Sequence, residues 1–91
     1  MFKSDDLVQL RSELNEIDKE LFILFIKRYK LCKQIGEVKK SLNIPIYQPQ
    51  IYNDKLKRII EKAQVENIPK DVIEKLYNTI HEICVDAQSI G

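Results

Sequence analysis

LVQLRSELNEIDKELFILFIKRYKLCKQIGEVKKSL, running from Leu7 to Leu42, repeats apolar residues at alternating three- and four-residue steps: Leu7, Leu10, Leu14, Ile17, Leu21, Leu24, Leu31, Ile35, Val38 and Leu42. A heptad run of this length predicts one long helix with a coiled-coil-like apolar seam. Arg28 occupies the seam position between Leu24 and Leu31. A charged group there is costly to bury unless an anion meets it. Arg28 therefore points to an internal anion site, or to an ion pair with a carboxylate such as Asp18 or Glu82 of another helix.

Lys39 follows Arg28 by eleven residues, close to three whole turns at about 3.6 residues per turn. The two cations share one strip of the helix, which favours a ligand-binding role for both. Arg11 lies seventeen residues before Arg28, about 100° round the cylinder and roughly 25 Å away along the axis. One small ligand cannot touch both on the same helix. If the two cooperate, Arg11 comes from a second, antiparallel copy; otherwise it makes a salt bridge at a dimer interface.

The remaining chain reads as two shorter helices. Asn43-Ile44-Pro45 forces the backbone out of the helical region and closes the first helix near residue 42. Pro49 suits the first turn of a second helix, over about 49–65, with Tyr52, Leu56, Ile59, Ile60 and Ala63 on one face. Pro69 and Asp71 open a third, over about 69–89, with Val72, Ile73, Leu76, Ile80, Ile83, Cys84 and Ala87 on one face, before Ser89 and Gly91 close it. The chain is expected to be a single all-α domain over residues 1–91.

Composition narrows the class of function. The 91 residues carry 44% hydrophobic residues, 2 Gly, 3 Pro and no Trp, and 15 basic against 14 acidic residues give a net charge of +1. Basic residues alternate with acidic ones, so nucleic acid is an unfavourable partner. No stretch has the length to cross a bilayer. Ser4, Asp5 and Asp6 read as a helix cap with acids in the first turn and not as a secretion signal. Cys32 and Cys84, without a Cys-x-x-Cys pair or a His cluster, are expected to be reduced packing residues of a cytoplasmic protein.

A first helix of roughly 55 Å overhangs any core of this size, since a compact domain of 91 residues has a radius of gyration of about 12 Å. Its seam needs a second subunit, and an obligate, intertwined homodimer is expected. Gly36, inside a helical segment, costs up to about 1 kcal/mol relative to Ala and signals close approach of a neighbouring helix or of a ligand. His81 is expected to be a partly exposed helix residue without catalytic work. Gln88, one turn after Cys84, can aim its amide into the cavity of Lys39. There is no glycine-rich phosphate loop, no metal-ligand spacing and no nucleophile beside a base. Any catalysis would therefore rely on fixed charges and confinement.

The run Leu10-Arg11, Leu14, Ile17-Asp18, Leu21, Leu24, Arg28, Leu31, Ile35-Gly36 and Lys39, followed by Pro45 and a late Gln88, resembles the all-helical class of chorismate mutases over essentially the whole chain. The resemblance implies an intertwined dimer with two sites, each built mostly from one subunit plus an arginine from the other, and no cofactor or metal. Arg28 and the partner's Arg11 would hold the two carboxylates of chorismate. Lys39 and Gln88 would flank the ether oxygen whose bond to the ring breaks. At the start of the second helix the family presents an acidic residue followed by an Arg-Glu pair, which contact the ring hydroxyl. This chain has Gln48, Ile51 and Tyr52 there. Gln48 and Tyr52 retain hydrogen-bonding groups without the negative charge, and Cys84 stands where a small hydroxyl residue is common. Related isochorismate pyruvate-lyases and aminodeoxychorismate mutases differ in how they treat the ring substituents, and remain alternatives on this fold. So does a non-catalytic helical dimer that binds a partner.

Overall fold

A computed structural model describes residues 1–90; Gly91, the last residue of the expected chain closure, lies outside the described residues. Three helices follow one another: α1 (Ser4–Leu42), α2 (Pro49–Val65) and α3 (Lys70–Gln88). The described residues contain no strand. The bounds match the sequence reading to within a residue, and the heptad run is one unbroken helix.

Local chemistry explains where each helix stops. Lys3 is the N-cap of α1, one residue before the expected Ser4. The Asp6 carboxylate accepts the Lys3 backbone N–H at 2.7 Å, so the first-turn acid satisfies a donor as well as the helix dipole. At the other end Asn43 adopts a left-handed conformation, φ 58°, ψ 37°, and Ile44 N–H returns to the Lys39 carbonyl at 2.8 Å. Asn67, φ 59°, closes α2 in the same way, with Ile68 N–H on the Ala63 carbonyl at 3.0 Å. Asparagine tolerates this region better than most residues, and the returning N–H satisfies carbonyls that the helix end leaves open.

Packing is concentrated at one end. α3 lies against both α1 and α2, and the buried apolar residues are Cys32, Ala63, Ile73 and Ala87. The N-terminal half of α1 projects away from this cluster. Leu10, Leu14 and Leu21 of the seam are 58%, 56% and 62% exposed. The molecule measures 60 × 26 × 14 Å, with a radius of gyration of 17.3 Å, well above the value of about 12 Å for a compact chain of this length.

One sequence expectation is overturned here. Cys32 and Cys84 form a disulfide that ties α1 to α3, with Cα atoms 5.3 Å apart. Neither cysteine carries a local signal of this pairing, because their meeting depends on the register of two helices distant in sequence. The bond closes a loop with a sequence separation of 52, a constraint worth about 4 kcal/mol by chain entropy. Reduction with dithiothreitol is expected to lower the urea midpoint of unfolding clearly. Identical midpoints with and without reductant would show that the bond adds no stability.

Candidate active site

The helices line an open cavity of about 340 Å³. Each wall is a stripe at helical spacing. α1 contributes Arg28, Cys32, Ile35 and Lys39; Gln48 and α2 contribute Ile51, Tyr52, Lys55 and Ile59; α3 contributes Tyr77, His81, Cys84 and Gln88. Three cations, Arg28, Lys39 and Lys55, face this space, and no Asp or Glu is among its lining residues. Such a chamber favours anions.

Lys39 and Gln88 form the joint at one end. Lys39 Nζ donates to Gln88 Oε1 at 2.7 Å and to the Ile46 carbonyl at 2.7 Å. Both bonds fix the ammonium, and burial pushes its pKa below the ordinary lysine value. Because Gln88 Oε1 accepts from Lys39, the amide NH₂ is turned elsewhere. One of its hydrogens reaches Cys84 Sγ at 3.5 Å, leaving a second N–H.

Gly36 makes this joint possible. A Cβ built there would lie 2.3 Å from the Gln88 carbonyl oxygen and 2.6 Å from its Cα. Only glycine lets the α3 backbone come this close, which brings Gln88 within reach of Lys39 one turn further along α1. Of the two readings of Gly36, helix packing is the one observed.

Arg28 is half-buried and donates from Nη1 to Cys32 Sγ at 3.5 Å. It makes no ion pair with Asp18 or Glu82: the salt bridges among the described residues are Lys19 with Glu16 and Lys70 with Glu74. Its other guanidinium hydrogens remain available to a ligand. Arg11 is exposed and does not line the cavity of its own chain, as its axial distance from Arg28 requires.

The α2 side differs from expectation in its details. Tyr52 donates its hydroxyl to Asn78 Oδ1, and its ring stacks on His81 at 3.8 Å between centroids and 17° between planes. Tyr47 approaches the same imidazole at 5.6 Å. His81 is a partly exposed helix residue, as expected, and also forms part of the cavity wall. Burial, then the nearby Arg28, Lys39 and Lys55 charges, lower its pKa and keep the imidazole neutral near pH 7. Its Nε2 is buried without a hydrogen-bond partner.

The profile of the family described as chorismate mutase type II matches residues 10–89. The chain belongs to this family. It is 30% identical over 87 residues to the bifunctional chorismate mutase/prephenate dehydratase of Aquifex aeolicus, covering 92% of this chain and 24% of that protein. It is 40% identical over 68 residues to the T-protein of Haemophilus influenzae, covering 75% and 18%. With the chorismate mutase of Methanocaldococcus jannaschii it shares 27% identity over 78 residues, 86% of this chain and 79% of that one. The chain therefore spans about a quarter or less of the Aquifex and Haemophilus proteins and matches most of the length of the archaeal one.

Against the residues expected from the type II chorismate mutase pattern, the cavity gathers Arg28, Lys39, Gln48, Tyr52, Cys84 and Gln88. Arg11 alone stands apart. Sequence reasoning missed Lys55 and the role of His81. A signal for each existed: Gln48, Tyr52, Lys55 and Ile59 fall at i, i+4, i+7 and i+11, as do Tyr77, His81, Cys84 and Gln88, so each polar residue sits on an inward stripe.

Gln88→Glu tests the joint. Glutamate next to the Lys39 ammonium favours its ionised form, which accepts but cannot donate. Activity of the variant is expected to rise as pH falls and the carboxyl protonates, while the wild type lacks this acid dependence. A variant with the wild-type pH profile would remove the Gln88 amide from the chemistry.

Proposed function

We propose that the protein is a chorismate mutase that converts chorismate to prephenate by a [3,3] rearrangement, as an intertwined homodimer with two shared sites. The observation that carries this reading is a cavity with three cations, no carboxylate, and an ammonium and amide joined at one end. Arg28 and the partner's Arg11 bind the two carboxylates, because guanidinium forks match carboxylates in two-point contact. Held this way, the enolpyruvyl side chain lies over the ring, in the conformer that reacts.

Lys39 Nζ and the Gln88 amide then face the ether oxygen. Charge grows on that oxygen mainly in the transition state, so fixed donors there lower the barrier more than they tighten substrate binding. No covalent intermediate, cofactor or metal takes part. The ring is bounded by Gln48, Tyr52, His81 and Cys84, with the Tyr52 hydroxyl already committed to Asn78. Exposure of the α1 seam supports the dimer, since an antiparallel copy would cover it and bring Arg11 to the second cavity. The step belongs to aromatic amino-acid biosynthesis.

Chromatographic identification of products decides between this reading and its neighbours. Purified protein incubated with chorismate is expected to yield prephenate. Pyruvate and salicylate from isochorismate would instead identify a pyruvate-lyase on the same fold, and an aminated product from aminodeoxychorismate a mutase of that substrate. Inertness toward all three would favour a non-catalytic binding module.

A further inference from the structure

Lys55 adds, from α2, a third cation to the cavity that Arg28 and Lys39 line from α1. It lies on the inward stripe with Gln48, Tyr52 and Ile59, and lines the same cavity as Arg28 and Lys39. A lysine on a helix normally pairs with a carboxylate at three or four residues' distance or points into water. Lys55 takes part in neither of the salt bridges among the described residues. Lys55 is also among the charges that lower the His81 pKa, after burial, Arg28 and Lys39. The ammonium, exposed to solvent, borders a chamber lined by two other cations and by no carboxylate to balance them. Like charges brought together around a cavity repel one another, and a bound anion relieves that repulsion.

We propose that Lys55 is a substrate-binding residue, whose ammonium on the α2 wall holds a carboxylate of the dicarboxylate substrate together with the α1 guanidinium of Arg28. This rests on the reading of the cavity as a chorismate site. A flexible, strongly hydrated ammonium makes a point-charge contact and not a fixed fork. It therefore grips the carboxylate equally in the ground and transition states. Such uniform binding appears in KM and not in kcat. It also gives Lys55 a task distinct from that of Lys39, whose partner atom gains charge only as the reaction proceeds.

The test is steady-state kinetics on chorismate with Lys55→Gln, which removes the charge and leaves a polar side chain one atom shorter, and Lys55→Arg, which keeps the charge. Lys55 is exposed, so neither change threatens the fold, and circular dichroism checks this. KM of Lys55→Gln is expected to rise about tenfold with kcat changed less than about threefold, and Lys55→Arg to restore KM. The rise of KM with salt should be shallower in Lys55→Gln, since one screened charge is gone. His81, followed by NMR titration in the unliganded protein, should show a higher pKa in Lys55→Gln than in wild type. An unchanged KM in folded Lys55→Gln, beside an active wild type, would overturn the role of Lys55 and leave the mutase reading intact. A wild type inert toward chorismate and isochorismate would overturn that reading and this inference with it.

Discussion

Lys39→Ala is expected to lower turnover of chorismate by two or more orders of magnitude in a protein that stays folded. The size follows from what is lost, a charged donor aimed at transition-state charge, worth about 2.7 to 4 kcal/mol in comparable sites. The fold survives because the residue's two acceptors, the Ile46 carbonyl and Gln88 Oε1, border an open cavity where water can replace the ammonium. The same geometry sets a pH dependence. Burial lowers the Lys39 pKa, and the ammonium is the active form, so wild-type turnover should fall as pH rises through this lowered value. The fall comes at a lower pH than for an ordinary lysine. Circular dichroism with steady-state kinetics across alkaline pH measures both effects. Near-normal turnover in a folded Lys39→Ala would place the chemistry elsewhere.

The extent to which the fold was legible follows from the range of each signal. Heptad spacing, the Ser4-Asp5-Asp6 cap and the Asn43-Ile44-Pro45 stop are local, and the cap and the stop lie within a residue of the observed ends of α1. The shared strip of Arg28 and Lys39 was legible for the same reason, since three turns of one helix fix their relation. The approach of Gln88 to Lys39 spans 49 residues and has no local signature. Its one trace in the sequence is Gly36, an energetically poor helix residue that announced a close contact without naming the partner. The Cys32–Cys84 bond has no such trace.

Lys55 and His81 were missed for a different reason. In the sequence the face of α2 is marked by Tyr52, Leu56, Ile59, Ile60 and Ala63, and Lys55 is not among these apolar positions. Around His81 the sequence shows no metal-ligand or catalytic pattern, although Glu82 adjoins it and Cys84 follows three residues on. Its environment is built instead from Tyr52 on α2 and Tyr47 on the preceding loop. A polar residue on an inward stripe of a small helical protein, as Arg28, Lys55 and His81 all are, marks the cavity better than its immediate neighbours do.

Arg11 supplies the second large effect and the most direct test of the shared site. It is exposed, outside the cavity of its own chain, and about 25 Å along α1 from Arg28. Arg11→Ala should nonetheless nearly abolish activity, because it removes a carboxylate contact from the site of the partner. Arg11→Ala and Lys39→Ala homodimers are then both nearly inactive. Unfolded together under reducing conditions and refolded with the disulfide re-formed, they pair at random, and half the dimers are mixed. In a mixed dimer one site carries both defects, while the other combines an intact Arg11 from one chain with an intact Lys39 from the other. The account predicts recovery to about a quarter of wild-type activity, as expected for one restored site of two in half the population. Activity no higher than that of the separate mutants, with mixed dimers confirmed by native mass spectrometry, would contradict a site shared between two chains.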